Sequence, residues 1–180
     1  TESRNSSLVI NAAEVKAFAK ANGADLAGIA SMDRFEGAPP EMDPRHIFPE
    51  AKAMIVLACR IPRGALKGIE EGTFFISYSM MGYAGINFVR MPMVLWSVTN
   101  FLEDAGYDAV PIANVFDWAG IRTDAGGRGE HFSRPVAPGK PAPDVTPHLR
   151  IAAFAAGLGE IGYSKVFLTP EFGPRQRFGA

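Results

Sequence analysis

The chain has 180 residues, 47% of them hydrophobic, which suits one domain with a buried core and excludes a disordered composition. Eighteen basic against nineteen acidic residues leave a net charge of −1, with no footprint for nucleic acid or for an acidic membrane surface. A single cysteine excludes an internal disulfide and a self-contained thiolate cluster, and His46, His131 and His148 lie too far apart for a zinc spacing, so no protein-only metal site is expected.

In chain order, the opening TESRNSSLVI lacks a charged leader followed by a long apolar run. Nowhere does the chain hold the roughly 18 consecutive apolar residues of a membrane span. This argues for a cytoplasmic protein, and an exported chain already freed of its leader would read the same. Asn11 ahead of AAEVKAFAKANG predicts a helix with a capping box through Glu14, with Val15, Phe18 and Ala19 on one face and Gly23 as its stop. ADLAGIAS (24–31) reads as a strand, and FEGAPPEMDPRHIFPEA as a proline-punctuated surface loop. AMIVLACRI (53–61) is an unbroken apolar run, as expected of a central strand covered on both faces, and places Cys59 as a small buried hydrophobe.

TFFISYSMMGY reads as irregular at first, passing into helix after Tyr78. PMVLWSVTNFLEDAG (92–106) predicts a helix with an apolar stripe of Val94, Leu95, Val98, Phe101 and Leu102, and YDAVPIAN (107–114) a strand. Residues 116–147 show no periodicity. Trp118, His131 and Phe132 favour an ordered loop that covers a ligand or partner. PHLRIAAFAA (147–156) reads as helix, KVFLT (165–169) as strand, and PEFGPRQRFGA as turns. The whole is one α/β domain spanning 1–180.

Gly157, Gly159 and Gly162 spell G-x-G-x-x-G, the dinucleotide fingerprint. That fingerprint needs a strand running in and a helix starting out, so that the helix N-terminus faces the pyrophosphate. Here a helix runs in and a strand runs out, which puts the glycines at a negative dipole end. No acidic residue stands about twenty positions further on. Two readings stay open for the glycines: a helix cap with a tight turn, or a backbone surface approached closely by a large flat ligand.

The ordered set Ala156-Gly157-Leu158-Gly159, Gly162, Val166-Phe167-Leu168 and Thr169-Pro170-Glu171-Phe172-Gly173-Pro174-Arg175 resembles the segment ahead of the iron–sulfur motifs in corrinoid-dependent reductases, the reductive dehalogenases and epoxyqueuosine reductases. AKAMIVLACRIP and FLEDAGYDAVPIAN add weaker similarity. The resemblance implies a nitroreductase-like α/β (α+β) domain with a central mixed sheet flanked by helices, and cobalamin as cofactor. It also implies a small organic substrate, and a homodimer, since nitroreductase-like domains often pair. Electrons would come from 4Fe-4S clusters in a partner or a further domain. Two alternatives stand beside this reductase: a cobalamin-binding or trafficking protein without turnover, and a flavin-dependent nitroreductase-like enzyme.

By the same resemblance, Tyr83 is the proton-donating tyrosine, with Tyr78 an equally placed rival; a phenol is a credible donor to a developing carbanion. Asn114 would orient substrate or corrin amides, and Asp144 matches an aspartate of the epoxyqueuosine reductases. Tyr163 stands where relatives carry a cation, which puts dehalogenation in doubt; Lys165 would substitute if it points inward. Gly157, Leu158, Gly159, Gly162, Lys165, Thr169, Pro170 and Arg175 would line the cofactor. Arg177 closes the motif, and His148 reads as a helix-start residue.

Overall fold

The computed structural model describes residues 9–114, 122–123, 129–130, 138 and 145–180. Helix α1 (Ala12–Ala21) begins as its sequence demands. The Asn11 side chain accepts from the Ala13 and Glu14 amides at 2.9 and 3.0 Å, and the Glu14 carboxylate accepts from the Asn11 amide at 2.8 Å. Strand β1 (Leu26–Ser31) follows and pairs antiparallel with β2 (Ala53–Arg60), Leu26 opposite Ala58 and Ser31 opposite Ala53.

β2 is the central strand, and its two-residue period explains its apolar run. Leu57, Cys59 and Ile61 pack with Ala19, Val94, Leu95 and Val98 on one face. Met54, Val56 and Ala58 pack with Ala152, Ala153 and Phe178 on the other. Helices α1 and α3 (Met91–Asp104) therefore cover one side of the sheet, and α4 (Leu149–Ala155) the other. Phe18 of α1 stacks on Phe101 of α3 with ring centroids 4.1 Å apart.

The third strand comes from a segment whose sequence suggests turns. Gln176–Gly179 forms the strand that pairs antiparallel with β2 on its far edge, Leu57 opposite Gly179 and Arg60 opposite Gln176. Polar residues at Gln176 and Arg177 disguise it. Gln176 is nevertheless buried, because its amide donates to the Phe167 carbonyl at 2.8 Å and its oxygen meets the Thr169 hydroxyl. The three-strand sheet, expected to be mixed, is antiparallel throughout. The strand expected over 107–114 is not formed. Ile112 alone exchanges backbone bonds with Ala180, and Pro111 beside it has no N–H to extend the ladder.

After α2 (Arg63–Glu70) the chain enters one helical run that ends in α3. Its first part is wound wide. Over Tyr78–Ala84 and Ile86–Arg90 the backbone bonds span five residues, as in Gly85 N–H to the Met80 carbonyl and Met91 N–H to the Ile86 carbonyl. Irregular sequence passing into helix after Tyr78 is what the glycine-punctuated stretch suggests, and the wide turns are its structural form. Arg90 points inward, donating to the Gly23 carbonyl at 2.8 Å and pairing with Asp25 at 2.9 Å.

Two hairpin-scale pairings lie outside that sheet among the described residues. Arg122–Thr123 (β3) pairs with Gly129–Glu130 (β4), and Glu160–Ile161 (β5) with Phe167–Leu168 (β6), leaving β7 for Gln176–Gly179. The strand expected over 165–169 is thus two residues long. Among the described residues no helix is long and apolar enough to cross a membrane.

Candidate functional site

Several hydrogen-bonding side chains surround a cavity of about 670 Å³ where β7, the start of α4 and the wide-turn helix converge. That volume suits a small organic molecule. Tyr78, Asn114, His148, Arg150, Gln176 and Arg177 line it, with Ile61, Leu149, Val166 and Phe167 as apolar wall. A second cavity, about 460 Å³, has mostly apolar walls between β2, α3 and residues 106–112, and brings together fewer chemically useful groups.

Arg177 organises the polar cavity. Its Nη2 donates to the Tyr78 hydroxyl at 2.8 Å, and its guanidinium carbon lies 4.7 Å from the centre of the Tyr83 ring. The wide helix turns make this possible. In an α-helix, residues five apart diverge by about 140° around the axis. Hydrogen bonding over five residues brings Tyr78 and Tyr83 onto one side, toward the same arginine. Arg177 Nε and His148 Nδ1 are buried without a hydrogen-bond partner among the described residues, so the cavity wall holds unused donor and acceptor capacity. His148 Nε2 lies 3.4 Å from an Arg150 nitrogen, and Arg150 donates through Nη1 to the Lys165 carbonyl at 2.5 Å.

The expected residues divide into three groups. Tyr83 and its rival Tyr78 meet at Arg177, Tyr78 on the cavity wall and Tyr83 behind the guanidinium, and Asn114 lines the same cavity. Asp144 lies outside the described residues, as do Trp118, His131 and Phe132. The residues of the glycine segment mostly sit elsewhere, several of them in structural contacts.

Gly157 takes a left-handed φ of +72° after α4, with open space around the missing Cβ. A Cβ on Gly159 would overlap the Leu168 carbonyl oxygen, and one on Gly162 would come within 3.0 Å of the Leu168 side chain. The close approach read from these two glycines is therefore made by the chain's own β6. Leu158 packs into the core. Thr169 is buried and bonded to Gln176, and its hydroxyl also caps the Phe172 amide at 3.1 Å. Arg175 ties β7 to the end of β2 by donating to the Ile61 carbonyl at 3.1 Å. Pro170, Tyr163 and Lys165 are exposed, Tyr163 completely, and Lys165 holds a left-handed φ of +61°.

One further feature borders the cavity. Ile151 and Phe154 of α4 expose their side chains, and so do Ile161, Tyr163, Val166 and Leu168 of the β5–β6 hairpin; Val166 also lines the cavity. Val166 and Leu168 share one face of that hairpin and Ile161 takes the other, beside the polar hollow. Gln176 and Arg150, which complete the hollow, carry no distinguishing pattern in the sequence. The only available signal is that Gln176 precedes Arg177 by one residue at the close of the Pro174-Arg175 motif.

Neither a scan against protein-family models nor a search of curated proteins returns a match to this chain.

Proposed function

We propose that this chain is a corrinoid-binding reductase domain that acts on a small organic substrate with electrons from an iron–sulfur partner. The observation that carries the reading is a cavity holding Tyr78 and Arg177, bordered by the exposed apolar face of the hairpin that carries Val166 and Leu168. A large flat cofactor with an apolar face and polar edge groups needs both surfaces. The sequence resemblance over 155–177 gives that cofactor its chemical class.

The residues fit such a group. Val166 and Leu168, on one face of the hairpin at the cavity's border, would take its apolar face, while Arg150 and His148 offer polar contacts to its edge. A bound corrinoid supplies a low-valent cobalt centre able to reduce the substrate. The protein's own part is proton delivery and positioning. Tyr78 holds a proton on its hydroxyl at the cavity wall, and Arg177 fixes the direction of that hydroxyl by its 2.8 Å bond. The guanidinium charge also stabilises negative charge that develops on substrate or phenol. Asn114 offers an amide to orient the substrate.

The test is reconstitution of purified protein with hydroxocobalamin. Bound corrinoid with the absorbance of the base-off form supports the reading. Co-purifying yellow flavin with no corrinoid uptake overturns it. Uptake without reduction of any substrate by an iron–sulfur donor points to the carrier alternative.

A further inference from the structure

The polar cavity carries an uncompensated charge. Arg150, Arg177 and His148 line it, and among the described residues no aspartate or glutamate does. The chain as a whole has 18 basic against 19 acidic residues, and the apolar cavity sets Glu50 and Asp108 against Lys52, so the basic excess is local. Neither arginine meets a carboxylate among the described residues. Arg177 meets the Tyr78 hydroxyl and the face of the Tyr83 ring, and Arg150 the Lys165 carbonyl and the His148 ring. Elsewhere Arg45 and Arg90, whose side chains are 39% exposed, each have an aspartate, at 2.8 and 2.9 Å. A guanidinium drawn partly out of water favours such a partner, because solvent no longer screens its charge fully.

We infer that the missing counter-charge belongs to the ligand: the cavity takes a small organic carboxylate, held by Arg150 and Arg177, with its carbon frame on the apolar wall. The inference takes from the proposed function that this cavity is the substrate site, and it gives that substrate its class. A guanidinium fork matches a carboxylate in both shape and charge. Ile61, Leu149 and Phe167 supply wall for an aromatic ring or a short aliphatic chain. Phosphate is the other common partner of arginine, and its sites draw on backbone N–H groups. Pro147 and Pro174, which stand in this wall beside His148 and near Gln176, have no N–H to give.

The assignment also gives Arg177 two tasks at one place. Its Nη2 fixes the Tyr78 hydroxyl at 2.8 Å. A carboxylate on the same guanidinium stands beside that hydroxyl, so recognition of the charge and placement of the proton pass through one side chain. A neutral molecule of the same shape leaves both arginines as they are in the empty cavity.

Isothermal titration of the purified, corrinoid-free chain with benzoate, and with benzamide as its neutral isostere, tests the inference. Benzoate should bind at least about 10-fold more tightly than benzamide, and Arg150→Gln and Arg177→Gln should each weaken benzoate by about 10-fold or more. Arg150 is exposed, so its variant keeps the fold even where Arg177→Gln does not. No benzoate binding up to about 10 mM overturns the inference. Equal affinity for benzamide, indifference to both variants, or a preference for inorganic phosphate overturns it too. The titration is then repeated on chain loaded with hydroxocobalamin. Benzoate binding that survives loading supports a substrate carboxylate; binding that disappears assigns the arginines to the cofactor and overturns the inference. Failed corrinoid uptake overturns the reductase reading alone, and the first titration still decides the carboxylate site.

Discussion

The Arg177 guanidinium donates to the Tyr78 hydroxyl at 2.8 Å across 99 residues of sequence, joining the last strand of the sheet to the first wide turn of the long helix. On the proposed reductase reading, Tyr78→Phe removes the proton donor and leaves the ring in place. Reductase turnover should fall by about 10²- to 10⁴-fold while corrinoid uptake is unchanged. Arg177→Gln should fall comparably, and the double variant no further than the worse single one, because the two groups act as a unit. A Tyr78→Phe protein with full turnover removes the assignment and returns the role to Tyr83.

The glycines of the 157–162 segment should separate by cause. Gly159→Ala drives a methyl into the Leu168 carbonyl and should cost about 2 kcal/mol or more. Gly157→Ala meets open space and bears only its left-handed φ of +72°, for about 1 kcal/mol. Urea denaturation of both variants reads the order. Equal costs, or the reverse order, would show that the hairpin does not dictate Gly159.

Cys59 is fully buried against the core, and burial pushes its thiol up to about 11. The folded chain should resist an aromatic disulfide reagent at pH 8 and react with one thiol equivalent once unfolded. The raised value also links to stability. The folded state prefers the neutral thiol, so the contribution is complete below about pH 9 and is lost as pH rises toward 11. Its size is of order 2–3 kcal/mol. Cys59→Ala should flatten that decline in a plot of unfolding free energy against pH.

Asn11 accepts from two amides at the start of α1, and Glu14 closes the reciprocal bond. Asn11→Ala should lower stability by about 1 kcal/mol, and Asn11→Gly by only a few tenths. Thermal unfolding of the pair checks the cap, and equal losses would argue against a side-chain role.

Periodic apolar segments were readable in the sequence. The cap at Asn11, the stripe of α3 and the doubly covered β2 follow from spacing alone, because burial on a helix face or on two sheet faces writes itself as a period. β7 was not readable, because Gln176 and Arg177 interrupt an apolar pattern that their hydrogen bonds make tolerable. Tyr78 and Tyr83 could be named as candidates, but not as a pair. Five-residue spacing separates side chains on an α-helix, and only the wide turns bring them to one arginine. Arg177 could be named from the closing motif, yet its partners lie a hundred residues upstream, beyond any local pattern. The glycines, finally, have two explanations in sequence, and for Gly159 and Gly162 the contact with Leu168 supplies one that is internal to the chain.

Exposed positions ordinarily accept substitution within about half a kcal/mol, and by exposure alone the stretch from Phe75 to Phe88 would rank among the more permissive in the molecule. Its ring contacts say otherwise. Phe75 and Phe88 look outward, and each also braces a tyrosine that meets Arg177. A side chain changed there for the sake of the outer surface shifts the inner one as well. The run therefore has no idle side, and a deep mutational scan should find it as intolerant as the buried strand β2.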